Sequence, residues 1–170
     1  MILVVNDANV LIDLVKLQLL PHFFSLPLEF YTTDLILNEL HDWQVQELQV
    51  YINNGTLVVI QLTSTELMDV LLLQAEKRQL SEQDCSAIVC ARKVSGDLLT
   101  SDNNLRTFAA KKFLTVYGHL WVFDRMVEAA KITPQIAIEK LTELREVINP
   151  RLHLPKMECD SRLEKWRLLS

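Results

Sequence analysis

Residues 1–13 read MILVVNDANVLID, and this stretch sets the expected fold of the whole chain. The apolar run Ile2–Val5 is too short for a buried helix and predicts a strand covered on both faces. Asn6 and Asp7 end this run, and apolar residues then recur at helical spacing. A carboxylate is therefore expected at the C-terminal end of a buried first strand, the edge where open parallel sheets bind ligands.

Four further short apolar runs, separated by helical patterns, continue this arrangement along the chain. The predicted strands cover residues 2–5, 28–32, 57–60, 97–100 and 114–117. The predicted helix N-caps are Thr33, Thr63, Ser81 and Thr133. Strands that alternate with helices predict an α/β fold, with a parallel sheet between two layers of helices.

Composition places the chain among ordinary globular proteins. Its 170 residues, 49% apolar and 23% charged, suffice for one domain with a sizeable core. No signal peptide is visible, and the apolar stretch 14–30 is interrupted by Lys16, Pro21, His22 and Pro27, so no membrane span is predicted. Three cysteines and four scattered histidines lack metal spacing, which favours reduced thiols in a cytoplasm and argues against a zinc site.

The charge balance limits the possible partners. A net charge of −5 argues against broad attraction to nucleic acid, although an acidic metal site would itself carry several negative charges. Arg106, Lys111 and Lys112 could form a local patch for a phosphate backbone. A solvated helix face explains the same three residues equally well.

Three acids each have a structural explanation when considered singly. Asp7 and Asp102 follow strands and could serve only as helix N-caps. Asp84 could be the fourth residue of a capping box that begins at Ser81. None of the three identifies a site by itself.

Glu39 is the fourth acid of interest. It lies beside a predicted helical stripe formed by Ile36, Leu40 and Trp43, where a surface glutamate is ordinary. Acids at the ends of two strands and near the starts of helices can nevertheless meet at one edge of a parallel sheet. Such a cluster is costly without a counter-charge, and Mg²⁺ or Mn²⁺ prefers these oxygen ligands.

Several motifs in this order resemble the PIN-domain nucleases, including the VapC-like toxins of bacterial toxin–antitoxin pairs. The similar stretches are VVNDANVLIDL, LNELH, LSEQDCSAIVCA, LLTSDNNLRTFA, VYGHLWVFDRM and ITPQIAIEKLTEL. The resemblance covers residues 1–148 and implies a five-stranded sheet in the order 3-2-1-4-5. It also implies a magnesium- or manganese-dependent endoribonuclease whose catalytic and metal-binding acids are Asp7, Glu39, Asp84 and Asp102.

The resemblance carries further expectations about neighbouring residues. Asn9 occupies the family's small polar position two residues after the first acid, and Ser101 is expected to orient Asp102. Glu82 could share or replace the role of Asp84. Residues 149–170 lie beyond the resemblance and form a C-terminal extension, either packed on the domain or available to a partner.

The family also implies partners: an RNA substrate, a small antitoxin protein and a second copy of the chain in a homodimer. Four apolar residues are candidates for covering an interface, although core burial explains the first two as well: Trp121, Phe123, Trp166 and Leu168.

Other acid-pocket folds fit less well. A haloacid-dehalogenase-like phosphatase needs a second acid where Asn9 stands, and a receiver domain needs an aspartate where the third strand runs into Gln61. A dinucleotide-binding fold needs a glycine-rich first turn, which NDANVL lacks. The alternative that remains is a PIN-like module that binds RNA or protein with little or no catalysis.

Overall fold

The computed structural model describes residues 2–169, and its centre is a five-stranded parallel sheet flanked by helices. The strands are β1 (Ile2–Asn6), β2 (Leu28–Thr33), β3 (Leu57–Ile60), β4 (Asp97–Leu99) and β5 (Val116–Tyr117). Their order across the sheet is β3-β2-β1-β4-β5, and each neighbouring pair is parallel. The three-layer α/β fold and the strand order 3-2-1-4-5 are both confirmed.

Ten α-helices connect and cover the strands among the described residues. They are α1 (Ala8–Lys16), α2 (Leu20–Phe24), α3 (Asp34–Leu37), α4 (Asp42–Asn53), α5 (Ser64–Glu76), α6 (Glu82–Val94), α7 (Asn103–Lys111), α8 (His119–Glu128), α9 (Pro134–Glu143) and α10 (Lys156–Leu169). A π-helical turn, Leu144–Ile148, and a 3₁₀ turn, Pro150–Leu152, lie between α9 and α10. In the part of the chain that is described, no helix is both long and apolar enough to cross a membrane.

The predicted N-caps are confirmed by their hydrogen bonds. The side chains of Thr33, Thr63, Ser81 and Thr133 each accept a hydrogen bond from an amide in the first turn of the following helix. These bonds satisfy amides that have no partner inside the helix. Local sequence therefore fixes where α3, α5, α6 and α9 begin.

Strand β1 lies at the centre of the sheet and places its C-terminal end beside that of β4. Val4 and Val5 are fully buried, as expected for a strand covered on both faces. Asn6 pairs with Leu99, and the amide of Asp7 donates to the carbonyl of Leu99 at 3.1 Å. The residues that follow β1 and β4 therefore meet at one edge of the sheet.

The predicted helical stripe around Glu39 is wrong. Helix α3 ends at Leu37, and α4 begins only at Asp42, so the two segments do not form one continuous helix. The His41 amide donates a hydrogen bond to Gln44 Oε1 at 2.9 Å, which helps to start α4 as a separate helix. Trp43 is consequently half exposed, at 50%, and lies outside the core.

The C-terminal extension packs on the domain through α10, which contacts α9. Cys159, Leu163 and Trp166 are buried, and the Trp166 ring lies 6.2 Å from the ring of Phe123. Phe123 and Trp166 therefore belong to the core and do not cover an interface, which corrects that expectation, whereas Leu168 is exposed. The division of the chain at residue 148 stays a prediction.

Candidate acid site at the carboxyl edge of the sheet

Asp7 is the buried centre of the site and is 2% exposed. Its Oδ1 accepts a hydrogen bond from the Ala8 amide at 2.8 Å, and its Oδ2 accepts one from the Thr100 hydroxyl at 2.7 Å. Burial raises the pKa of Asp7 from 3.8 to about 7, although both hydrogen bonds act in the opposite direction. Asp7 is thus a helix cap and also a carboxylate poised between its two protonation states near neutral pH.

Thr100 connects three members of the site, and it is not among the site residues predicted from the sequence. Its hydroxyl donates to Asp7 and accepts hydrogen bonds from Asn9 Nδ2 at 3.2 Å and from the Asp102 amide at 3.1 Å. The available signal was its position directly after β4, the strand neighbouring β1. A hydroxyl at that edge can reach the residue that follows β1.

Asp102 begins α7, and its Oδ1 accepts a hydrogen bond from the Leu105 amide at 2.8 Å. Ser101 was expected to orient Asp102, and this is wrong. Its hydroxyl instead accepts a hydrogen bond from the His119 amide at 3.0 Å and lies 2.7 Å from His119 Nδ1. Successive side chains of an extended segment point to opposite sides, so Thr100 faces Asp7 while Ser101 faces away.

Asp84 combines the capping role with a place beside the other acids. Its Oδ2 accepts a hydrogen bond from the Ser81 amide at 2.8 Å, and its own amide donates to the Ser81 hydroxyl at 3.0 Å. Burial raises the pKa of Asp84, the bonds to Ser81 lower it, and the charge of Asp102 raises it again. The capping box therefore fixes the orientation of the carboxylate without excluding a functional role.

Glu39 lies in the turn after α3, and a chain of hydroxyl groups holds α3 against α6. The Thr33 hydroxyl lies 2.9 Å from the Ser86 hydroxyl, which donates to the Gln83 carbonyl at 2.7 Å. Partial burial raises the pKa of Glu39, and the charge of Asp84 raises it further. The contact between the two helices thus brings Glu39 near Asp84.

The four predicted acids interact electrostatically. The charges of Asp84 and Glu39 both raise the pKa of Asp7, and the charge of Asp102 raises that of Asp84. Glu82 is exposed and is not among the groups that raise the pKa of these acids. The fold therefore brings Asp84 within electrostatic range of Asp7, Glu39 and Asp102 at the carboxyl edge of the sheet, and their role as site residues stays a prediction.

Comparison with known protein families identifies the family of this chain. The PIN-domain family matches residues 3–167, almost the whole chain. The chain belongs to the PIN-domain family. The match extends through most of α10, beyond the residues on which the sequence resemblance rested. Among curated proteins, none matches this chain.

The side chains at the acid site of this PIN domain carry oxygen donors, the type that hard divalent cations prefer. All four acids offer carboxylate oxygens, and Asn9 Oδ1 is buried without a hydrogen-bond partner among residues 2–169. The neighbouring thiol of Cys85 is buried, with its pKa raised to about 11, and offers no thiolate. As they lie, no three His, Cys, Asp or Glu side chains among the described residues form a group that could hold a metal ion.

The Arg106 side chain is held by hydrogen bonds to the backbone of this PIN domain. Its guanidinium donates to the carbonyls of Thr100 at 3.2 Å and Val116 at 3.4 Å. A Cβ at Gly118 would lie 2.6 Å from its Nη2, so glycine leaves room for this contact. The Lys112 ammonium pairs with the Glu76 carboxylate. Of the three residues of the candidate basic patch, Lys112 is thus paired with a carboxylate and Arg106 is bound to carbonyl groups, and the patch of Arg106, Lys111 and Lys112 stays a prediction.

A second buried polar chain begins behind Ser101. His119 Nε2 lies 3.1 Å from Asp13 Oδ2, in an electrostatic contact that is not aligned as a hydrogen bond. The same carboxylate oxygen accepts a hydrogen bond from Asn149 Nδ2 at 2.9 Å. This chain connects the β4–α7 turn of the PIN domain to the segment that precedes α10.

Proposed function

We propose that this PIN domain is a metal-dependent endoribonuclease that hydrolyses phosphodiester bonds of RNA. The observation that carries the proposal is the electrostatic coupling of Asp7, Glu39, Asp84 and Asp102 at the carboxyl edge of the sheet. Burying several carboxylates together raises the free energy of their charged forms unless a cation compensates them. A chain that needed only helix caps would not require these acids to lie together.

The cation would be Mg²⁺ or Mn²⁺, and oxygens of the four acids would hold it. When bound, it supplies positive charge to the carboxylates and to the phosphate oxygens as their charge develops. Thr100 keeps the Asp7 carboxylate in one orientation, and the amides of Ser81 and Leu105 do the same for Asp84 and Asp102.

We assign to Glu39 the role of accepting a proton from the attacking water. It is the most exposed of the acids with a raised pKa, and a raised pKa suits a carboxylate that accepts a proton. The water oxygen bonds to phosphorus as Glu39 takes its proton, the bond from phosphorus to the 3′ oxygen breaks, and the leaving oxygen takes up a proton from solvent. The products are a 3′-hydroxyl and a 5′-phosphate.

Purified protein incubated with a mixed RNA pool tests the activity directly. We expect cleavage with Mg²⁺ or Mn²⁺, products that carry 5′-phosphates, and no cleavage in EDTA. Asp7→Asn should abolish cleavage, whereas Asp69→Asn, which neutralises an exposed acid on α5, should leave it unchanged. Equal cleavage in EDTA, or none with either metal, would favour a PIN-like module that only binds RNA or protein.

For the biological setting, we propose a cytoplasmic toxin of a type II toxin–antitoxin pair, a homodimer silenced by a small antitoxin. Resemblance to VapC-like toxins supports this setting, and Leu168 is an exposed apolar residue available to a partner. Light scattering of the purified chain should give the mass of a dimer. Expression should arrest growth unless the neighbouring small reading frame is co-expressed; a monomer whose expression is harmless contradicts the setting but not the nuclease activity.

A further inference from the structure

Two adjoining cavities form a groove beside the acid site. Their volumes are about 370 and 320 Å³, and both are lined by Ser101, Asn103, Leu152 and His153. The smaller cavity reaches Asn9 and Asp102 of the acid site, and the larger one reaches Tyr117 and Trp121. We call this continuous depression the flanking groove.

The wall of the flanking groove is held in place by the buried polar chain. Asn149 donates to Asp13, and the Leu152 amide donates to the Asn149 carbonyl at 3.0 Å. His153 then adopts a left-handed conformation, with φ 49° and ψ 48°. The groove is therefore formed before any ligand binds, which lowers the entropic cost of binding.

The charges along the flanking groove favour an anion. Asp102 is its one acidic lining residue, whereas Arg106, Arg151, His153 and Arg162 contribute basic side chains. Arg162 is compensated by carboxylates, and Arg106 is bound to carbonyl groups. Arg151 is exposed and has no ion pair within residues 2–169, so its charge is available to a phosphate.

The far end of the flanking groove is aromatic. The rings of Tyr117 and Trp121 stack at 4.3 Å with an angle of 10° between their planes, and both side chains are half-buried. Together they offer aromatic surface to the cavity. Aromatic side chains beside a basic groove suit the unstacked bases of a single strand, because every base has a π face.

We propose that the flanking groove holds the single-stranded RNA next to the cleaved bond. Its phosphates contact Arg151, and a base contacts the Tyr117–Trp121 pair. This assignment rests on the proposed ribonuclease function. It places the RNA strand on the side of the acid site where the charge of Arg151 has no carboxylate partner. A basic peptide would find little acidic surface there beyond Asp102.

Binding of a short fluorescein-labelled single-stranded RNA, measured by fluorescence anisotropy in EDTA and in Ca²⁺, tests the groove without cleavage. Arg151→Gln should raise Kd about three- to tenfold and reduce the slope of log affinity against log salt by about 0.7, the effect of one phosphate contact on a single strand. Arg78→Gln is the matched control, since it removes an exposed arginine that does not line the groove. Equal affinities of the two variants would overturn the proposal.

Photo-crosslinking tests the aromatic end without any substitution. RNA that carries 4-thiouridine should crosslink to peptides containing residues 117–121 or 149–155, and crosslinks only elsewhere would overturn the proposal. We expect that an arginine-rich peptide added to the complex will not displace the RNA. Binding of that peptide by a protein that does not bind the RNA would also overturn the proposal. If the protein binds RNA through Arg151 but does not cleave it, the ribonuclease proposal is refuted and the groove proposal stands. If the protein cleaves RNA and Arg151→Gln does not affect cleavage, the groove proposal is refuted and the ribonuclease proposal stands.

Discussion

The Thr100 hydroxyl donates a 2.7 Å hydrogen bond to the buried carboxylate of Asp7, although the two residues are 93 positions apart in the chain. This bond joins the ends of β4 and β1, the two strands that carry the site. Because it also lowers the pKa of Asp7, it partly offsets the effect of burial on that carboxyl. Thr100 is thus the residue through which the fold controls Asp7.

Thr100→Val should show this control. The substitution conserves shape but leaves the Asp7 carboxylate without its hydroxyl donor, which should cost about 1–3 kcal/mol in the free energy of unfolding. The loss should be larger above pH 7, where Asp7 is charged, than at pH 5. Urea unfolding in EDTA at both pH values measures it. Thr100→Ser keeps the hydroxyl and should stay close to the wild type; equal losses in the two variants would mean that packing alone explains the effect.

Asp7 itself should make the stability of the metal-free protein depend on pH. Its pKa is about 7 in the folded state against an ordinary value of 3.8, so the folded state binds the proton more tightly than the unfolded state. Its contribution is complete below pH 4 and is lost as pH rises to about 7, with a slope of at most about 1.4 kcal/mol per pH unit.

Comparison with Asp7→Asn isolates that contribution. The variant lacks the titrating group, so the difference in unfolding free energy between it and the wild type should change across pH 4–7 and then level off. Urea titrations in EDTA at several pH values give the two curves. Parallel curves over this interval would show that Asp7 does not titrate with a raised pKa.

Asp84→Asn separates capping from participation in the acid cluster. If Asp84 only capped α6, losing its charge should cost about 0.3–1 kcal/mol with or without metal. Since burial and the charge of Asp102 both raise the pKa of Asp84, we expect the metal-free variant to be as stable as the wild type or more stable. Stabilisation by Mg²⁺ should shrink, and cleavage should fall by orders of magnitude.

Glu66→Gln is the matched control for Asp84→Asn. Glu66 occupies the corresponding position of the capping box on α5, where its carboxylate accepts a hydrogen bond from the Thr63 amide at 2.7 Å. This box lies outside the acid cluster, so its variant should keep the full response of the melting temperature to Mg²⁺. If the Asp84 variant melts at a lower temperature in EDTA but keeps its Mg²⁺ response and its cleavage activity, Asp84 acts only as a helix cap.

The buried chain behind the site gives a double-mutant test. His119→Phe leaves the buried Asp13 carboxyl group with Asn149 as its remaining side-chain partner, and we expect a loss of about 3 kcal/mol because a buried polar group loses its contact. Asp13→Asn should cost clearly less in the His119→Phe background than alone. Chemical unfolding of all four proteins measures the coupling, and additive losses would show that the two residues do not interact.

The sequence predicted the fold because the relevant signals are local. The capping boxes at Thr63 and Ser81, and the buried run that ends at Asp7, involve residues within a few positions of one another. The alternation of strands and helices then limits the sheet to a parallel arrangement. The same logic correctly placed the acids that follow β1 and β4 at a shared edge of the sheet.

The partners of individual side chains depended on contacts between distant parts of the chain. Thr100 rather than Ser101 connects the acids, because the pleat after β4 turns one side chain toward Asp7 and the next toward His119. Trp166 lies in the core because α10 folds back onto the domain. Hydrophobic pattern and capping act over a few residues, whereas burial, pKa and hydrogen-bond partner are set by whichever residues the completed fold brings together.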